Sequence, residues 1–145
     1  MMPSALACPA SLKGSLSATD AAVALREGFA AGGVDATAMP VADGGEGTLD
    51  ALCSVFEPVE TVDAFGRPRV ARTGVLDDGT RVVEAAEAIP LDPGRLDVTA
   101  ASSRGLGLWI ARYRDRPLVV TVGGTATMDA GSGLLVDAAG IACID

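Results

Sequence analysis

The sequence predicts an α/β protein that opens with a parallel β-α-β-α run and passes into an antiparallel meander. Three observations carry this. Short apolar runs alternate with helical stripes as far as Phe56, the order expected of a parallel sheet with crossover helices. Three strand-like runs joined by short turns follow between Val59 and Glu84. Beyond Leu106 the strand–helix alternation resumes.

Leu6 to Cys8 reads as a brief buried strand ending at Pro9. Ser17-Ala18-Thr19-Asp20 has the form of a capping box, with Asp where Glu or Gln is more usual. Ala22, Leu25 and Phe29 continue at helical spacing until Gly32-Gly33 stops the helix. Asp35 to Val41 reads as a second strand, and Leu49, Leu52, Cys53 and Phe56 as the stripe of a second helix. Val59–Asp63, Arg69–Leu76 and Thr80–Glu84 form the meander. Its connectors are Phe65-Gly66-Arg67-Pro68 and Asp77-Asp78-Gly79, where Gly tolerates positive φ. A helix around Leu106–Tyr113, a buried strand Leu118–Val122, a helix from Ala130 to Ala139 and a strand from Ile141 to Ile144 complete the reading. The change of pattern divides the chain at residues 1–58 and 59–145.

Composition narrows the chemistry. With 49% hydrophobic and 3% aromatic residues, the core is built from Ala, Val, Leu and Ile. A net charge of −8 repels a nucleic-acid backbone, so no nucleic-acid partner is expected. No apolar run reaches the length of a bilayer span and the N-terminus lacks a signal-peptide pattern; a cytoplasmic protein without membrane contact is expected. Histidine is absent, so proton transfer falls to Asp, Glu or Lys. Cys8, Cys53 and Cys143 are too far apart for a CxxC pair and read as buried reduced thiols. Trp109 and Tyr113, four apart on a helix, read as packing residues.

Three loops share a strand–glycine-rich turn–helix design, the arrangement that binds ligands at the carboxyl ends of parallel strands. In Pro9–Ser15, Lys13 brings a cation, Gly14 permits close approach, and Ser11 and Ser15 bring hydroxyls. This loop is either an anion site or an ordinary exposed turn; it is not a Walker A loop. In Asp43-Gly44-Gly45-Glu46-Gly47-Thr48, two acids within a glycine cradle suit Mg²⁺ or proton abstraction, or else a tight turn with acids favouring the next helix start. In Gly123-Gly124-Thr125-Ala126-Thr127-Met128-Asp129, glycines and threonines suit an anion. Asp129 there is either an acceptor or base, or an N-cap. Arg104, before Gly105 and a helix, is the best-placed anion clamp among Arg67, Arg69, Arg81 and Arg104, the others reading mostly as solvated strand residues. Glu84, ending an apolar strand, is a buried or cleft carboxylate.

These blocks, in their order, resemble one family. Lys13-Gly14-Ser15-Leu16-Ser17, the run Pro40–Thr48 (PVADGGEGT), Gly66-Arg67-Pro68 and Gly123-Gly124-Thr125-Ala126-Thr127 with Asp129 are similar to the bacterial glycerate kinases of the two-domain, non-P-loop type. The resemblance implies a flavodoxin-like domain carrying an inserted α/β domain, with the site between them. On that reading residues 1–58 open the first domain and 59–145 the insert, both incomplete relative to the family. It implies transfer of the γ-phosphoryl group of ATP, with Mg²⁺, to a hydroxyl of D-glycerate, giving 2-phosphoglycerate. Lys13, Asp43 and Asp129 would be catalytic, with Asp129 as hydroxyl base. Ser11, Ser15, Gly44, Gly45, Gly47, Arg104, Gly123, Gly124 and Thr125 would bind substrate or phosphate, and Asp43 and Glu46 the metal. Ala10, Leu12, Met128 and Ala130 stand where the family pattern has Asp, Phe, Asn and Gly. The alternative is an inactive remnant or binding module. Unpaired sheet edges predict a homo-oligomer or a complementing C-terminal piece as partner.

Overall fold

The computed structural model describes residues 4–12 and 14–135. Lys13, Cys143, the end of the helix expected at 130–139 and the strand expected at 141–144 lie outside the described residues. No described helix is long and apolar enough to cross a membrane.

The chain runs β1 (Ser4–Ala7), α1 (Ala18–Ala31), β2 (Asp35–Ala38), α2 (Thr48–Leu52), β3 (Val55–Val62), β4 (Pro68–Val75) and β5 (Arg81–Glu84). It continues with α3 (Ala85–Ala88), α4 (Arg104–Arg112), β6 (Leu118–Thr121) and a 3-10 turn, Ser132–Leu135. β1 and β2 pair in parallel, Leu6 opposite Thr37. β3, β4 and β5 form the antiparallel meander and β6 joins β5 in parallel, with Glu84 opposite Thr121.

The cap at Ser17 forms as its sequence suggests. Asp20 N donates to Ser17 Oγ at 3.0 Å, and Asp20 in return accepts the Ser17 hydroxyl at 2.7 Å. α1 packs against β1 and β2 through Ala18, Ala21 and Ala22. Leu25 and Phe29, expected on the buried stripe, are exposed, because two short strands are too narrow to cover a 14-residue helix. Leu6 is exposed for the same reason, against the expectation of a buried β1, and Cys8 just beyond it is exposed rather than buried.

The second helix is shorter than its stripe. It ends at Leu52, and Val55 and Phe56 enter β3 opposite Val75 and Gly74. Apolar residues at helical spacing also suit a strand, and here pairing with β4 prevails; Pro58 could not have continued a helix. α3, a single turn of small residues, carries too little pattern to be read. Among the described residues β6 has no strand on its outer side, and the strand expected to be buried at 118–122 forms over Leu118–Thr121 with Val119 partly exposed.

The turns follow their residues. Asp63 Oδ1 accepts from Phe65 N and Arg67 N around Gly66 (φ 77°). Gly79 (φ 84°) closes the β4–β5 hairpin, where Leu76 N donates to Thr80 O at 2.9 Å. The main core lies between the four-stranded sheet and α4. It is built from small residues such as Val59, Ala71, Val83, Ala85 and Ala88 around Ile89, Leu106 and Trp109. Trp109 is 1% exposed, and Tyr113 packs at the edge of this cluster, as the composition requires of so few aromatic residues.

Candidate functional site

The acidic glycine loop after β2 is held by its own side chains and by one distant carboxylate. Asp43 Oδ1 accepts from Gly45 N at 2.9 Å, and Thr48 Oγ1 accepts from Gly44 N at 3.1 Å. Gly44 and Gly47, at φ 85° and 87°, occupy the left-handed region that glycine tolerates. Glu84, 2% exposed at the end of β5, reaches across to this loop. Its Oε1 accepts from Gly47 N at 3.0 Å and its Oε2 from Leu49 N at 2.7 Å. Burial raises the Glu84 pKa, the two amide donors oppose the rise, and the charges of Glu87 and Asp50 add to it.

The loop after β6 meets the same segment. Gly123 N donates to Gly44 O at 2.8 Å. A Cβ on Gly123 would stand 2.8 Å from Gly45 Cα and 2.9 Å from Gly44 O, so the backbones touch only because no side chain intervenes. The first loop closes from the other side. Ser11 Oγ donates to Glu46 O at 3.2 Å, and Leu12 and Leu16 pair across a tight turn containing Gly14.

Between these loops lies a cavity of about 460 Å³. Ser11 and Ser15 line it from the first loop, Glu46 and Gly47 from the second and Gly124 from the third; Arg69, Arg72, Glu84 and Glu87 complete the wall. The last four are supplied by β4, β5 and α3; of them the sequence singled out Glu84, and weighed Arg69 only as a solvated strand residue. Arg72 is committed. It grips Asp50 through Nη1 at 2.9 Å and Glu87 through Nε at 2.9 Å, while covering the Phe56 ring.

Gly44, Gly45 and Gly123 support this cavity from behind, and Thr125 bridges to Pro90 at its margin. The amides of Gly44, Gly45, Gly47 and Gly123 are all engaged within the protein, so these glycines shape the loops rather than present N–H groups to an anion. Asp43 turns back onto Gly45 and is not part of the wall. Arg104, expected as the anion clamp, opens α4 away from the wall.

Asp129 is likewise apart. Its Oδ2 accepts from Ser103 N, Ser103 Oγ and Gly133 N at 2.8, 2.9 and 3.2 Å, and its Oδ1 from Gly131 N at 3.2 Å. Burial pushes its pKa up, but these donors outweigh burial and hold it below the ordinary aspartate value. A carboxylate so engaged ties the chain after β6 to the start of α4, which is close to the capping alternative.

Among the described residues no three His, Cys, Asp or Glu side chains are grouped to hold a metal. Mg²⁺ usually keeps several waters and needs only one or two protein carboxylates when substrate phosphates supply other oxygens. Glu46 fits that smaller demand. It faces the cavity, and its carboxylate is not engaged by any described donor.

The model of the glycerate kinase family matches residues 5–145. The chain belongs to the glycerate kinase family. Among curated glycerate kinases it is 38% identical to the glycerate kinase of Bacillus subtilis (strain 168) over 143 residues, covering 88% of this chain and 37% of that protein. It is 35% identical to the glycerate 2-kinase of Escherichia coli (strain K12), covering 88% and 37%. A crystal structure described as that of a putative glycerate kinase 2 from Salmonella typhimurium LT2 superposes with a TM-score of 0.67 at 30% identity, over 93% of this chain and 40% of that one. The chain thus spans about two fifths of the length of these relatives. The parallel pair and the separate mixed sheet correspond to the N-terminal portion of the glycerate kinase fold.

Proposed function

We propose that this chain supplies the phosphate-side and substrate-side loops of an ATP-dependent glycerate kinase. The reaction moves the γ-phosphoryl group to a hydroxyl of D-glycerate and gives 2-phosphoglycerate and ADP. One observation carries the reading: the three glycine-rich loops, distant in sequence, converge on a single cavity. Phosphoryl transfer asks a protein mainly for positioning and charge stabilisation, and a cavity walled by hydroxyls, an open carboxylate and arginines offers both.

In this proposal Lys13, Ser11 and Ser15 face phosphate oxygens, and Glu46 takes the Mg²⁺ that accompanies them. When bound, the metal would neutralise developing charge on the phosphates. Gly44, Gly45, Gly47 and Gly123 fix the backbone shape, and Asp43 holds the loop through Gly45. We assign Asp129 a positioning role, since both of its carboxylate oxygens are engaged, by Ser103, Gly131 and Gly133. The division into 1–58 and 59–145, with the cavity between the two parts, and a cytoplasmic location where ATP is supplied, belong to the same proposal.

The test is a ³¹P NMR assay of the chain with ATP, Mg²⁺ and D-glycerate. Appearance of 2-phosphoglycerate, dependent on Mg²⁺, is expected. Binding of D-glycerate without turnover would instead mark a binding module, and absence of both binding and turnover would discard the proposal.

A further inference from the structure

The geometry points to Arg69 as the residue that reads the carboxylate of the acid substrate, an inference that rests on the kinase reading above. Arg69 lies on β4, opposite Thr61 of β3, and lines the central cavity and two further cavities beside it. Its Nε donates to Glu87 O at 2.6 Å, which fixes the plane of the guanidinium. No described carboxylate pairs with it, whereas the neighbouring Arg72 is taken by Asp50 and Glu87. The cavity therefore holds one guanidinium whose outward N–H groups have no described acceptor. An arginine so held presents a planar fork that suits a carboxylate.

Charge favours a small monoanion over a polyphosphate at this point. Glu46, Glu84 and Glu87 stand in the same wall, and Arg72 is already neutralised. A single carboxylate matches one open guanidinium, and an acid held there extends its hydroxyls toward the glycine loops, where the phosphate and metal are proposed to sit. D-glycerate would thus lie with its carboxylate toward β4 and its hydroxyls toward the glycine loops.

Calorimetric titration of the chain and of Arg69→Ala and Arg69→Lys with D-glycerate, glyceramide and ATP with Mg²⁺ tests this. D-glycerate should bind at least tenfold more weakly to Arg69→Ala and with intermediate affinity to Arg69→Lys. Glyceramide, which lacks the charge, should bind weakly to all three, and ATP affinity should change less than twofold. In the unmodified chain, D-glycerate should also protect Arg69 from phenylglyoxal while leaving the exposed Arg114 reactive, a readout that needs no variant to fold. Undiminished D-glycerate binding by Arg69→Ala, a loss confined to ATP, equal binding of glyceramide and D-glycerate by the unmodified chain, or no protection of Arg69 overturns the inference while leaving the kinase reading standing. Failure of the unmodified chain to bind either D-glycerate or ATP removes the kinase reading, and the inference with it.

Discussion

Glu84 concentrates the physics of this molecule in one side chain. It is buried, yet its two oxygens satisfy two backbone amides that otherwise face the interior. Glu84→Ala leaves the Gly47 and Leu49 N–H groups without their acceptor, at a cost of about 1–3 kcal/mol for each unsatisfied group; chemical denaturation should show the loss. The pH dependence has a definite sign. Its pKa in the fold is raised above the ordinary 4.5, chiefly by burial. A carboxyl so shifted favours the folded state fully below 4.5, and this contribution fades as pH climbs through the raised value. Thermal melts should therefore show the protein losing ground against Glu84→Gln as pH rises above 4.5. A difference in melting temperature that is flat with pH, or grows, contradicts this account.

At the level of elements, glycines decide how closely segments approach. A Cβ on Gly105, at the start of α4, would collide with the Val62 carbonyl of β3, and Thr61 Oγ1 donates to Gly105 O at 2.6 Å in the same contact. Backbone cannot yield as a flexible side chain does, so Gly105→Ala should cost several kcal/mol, above the usual range of about 1–3 kcal/mol for overpacking. Gly123→Ala should fall within that range, because its clash with Gly44 and Gly45 lies in a loop, yet it should weaken D-glycerate binding more than Gly105→Ala does. Comparing denaturation midpoints with binding affinities for the two variants checks both statements. Much of this level was legible in advance. The Ser17 cap, the Gly79 hairpin and the meander each follow from local residue chemistry. The end of α2 was not, because the stripe through Cys53 and Phe56 suits either helix or strand until β4 is present to pair with it. The choice between Arg104 and Arg69 was equally hidden: which arginine faces the cavity depends on the β3–β4 register, set by pairing rather than by the residues nearby.

Over the whole molecule, the two-stranded sheet is the thin part. β1 and β2 have no further strand beside them among the described residues, and Leu6, Met39 and Val41 are exposed there. Unpaired strand edges and exposed apolar side chains invite association. Sedimentation velocity should show concentration-dependent self-association, reduced by Leu6→Glu; a monomer at all concentrations would contradict this. The motif order was enough to pick out three loops that meet at one cavity. What the sequence could not show is that most of their amides are spent on each other and on Glu84, since those partners come from the far side of the chain.

The bond from Gly123 to Gly44 also has a consequence for synthesis. A ribosome releases the early acidic loop long before β5 and β6 exist, so the nascent segment has neither Glu84 nor Gly123 to brace it. The full set of braces is available only once Gly123 has been made.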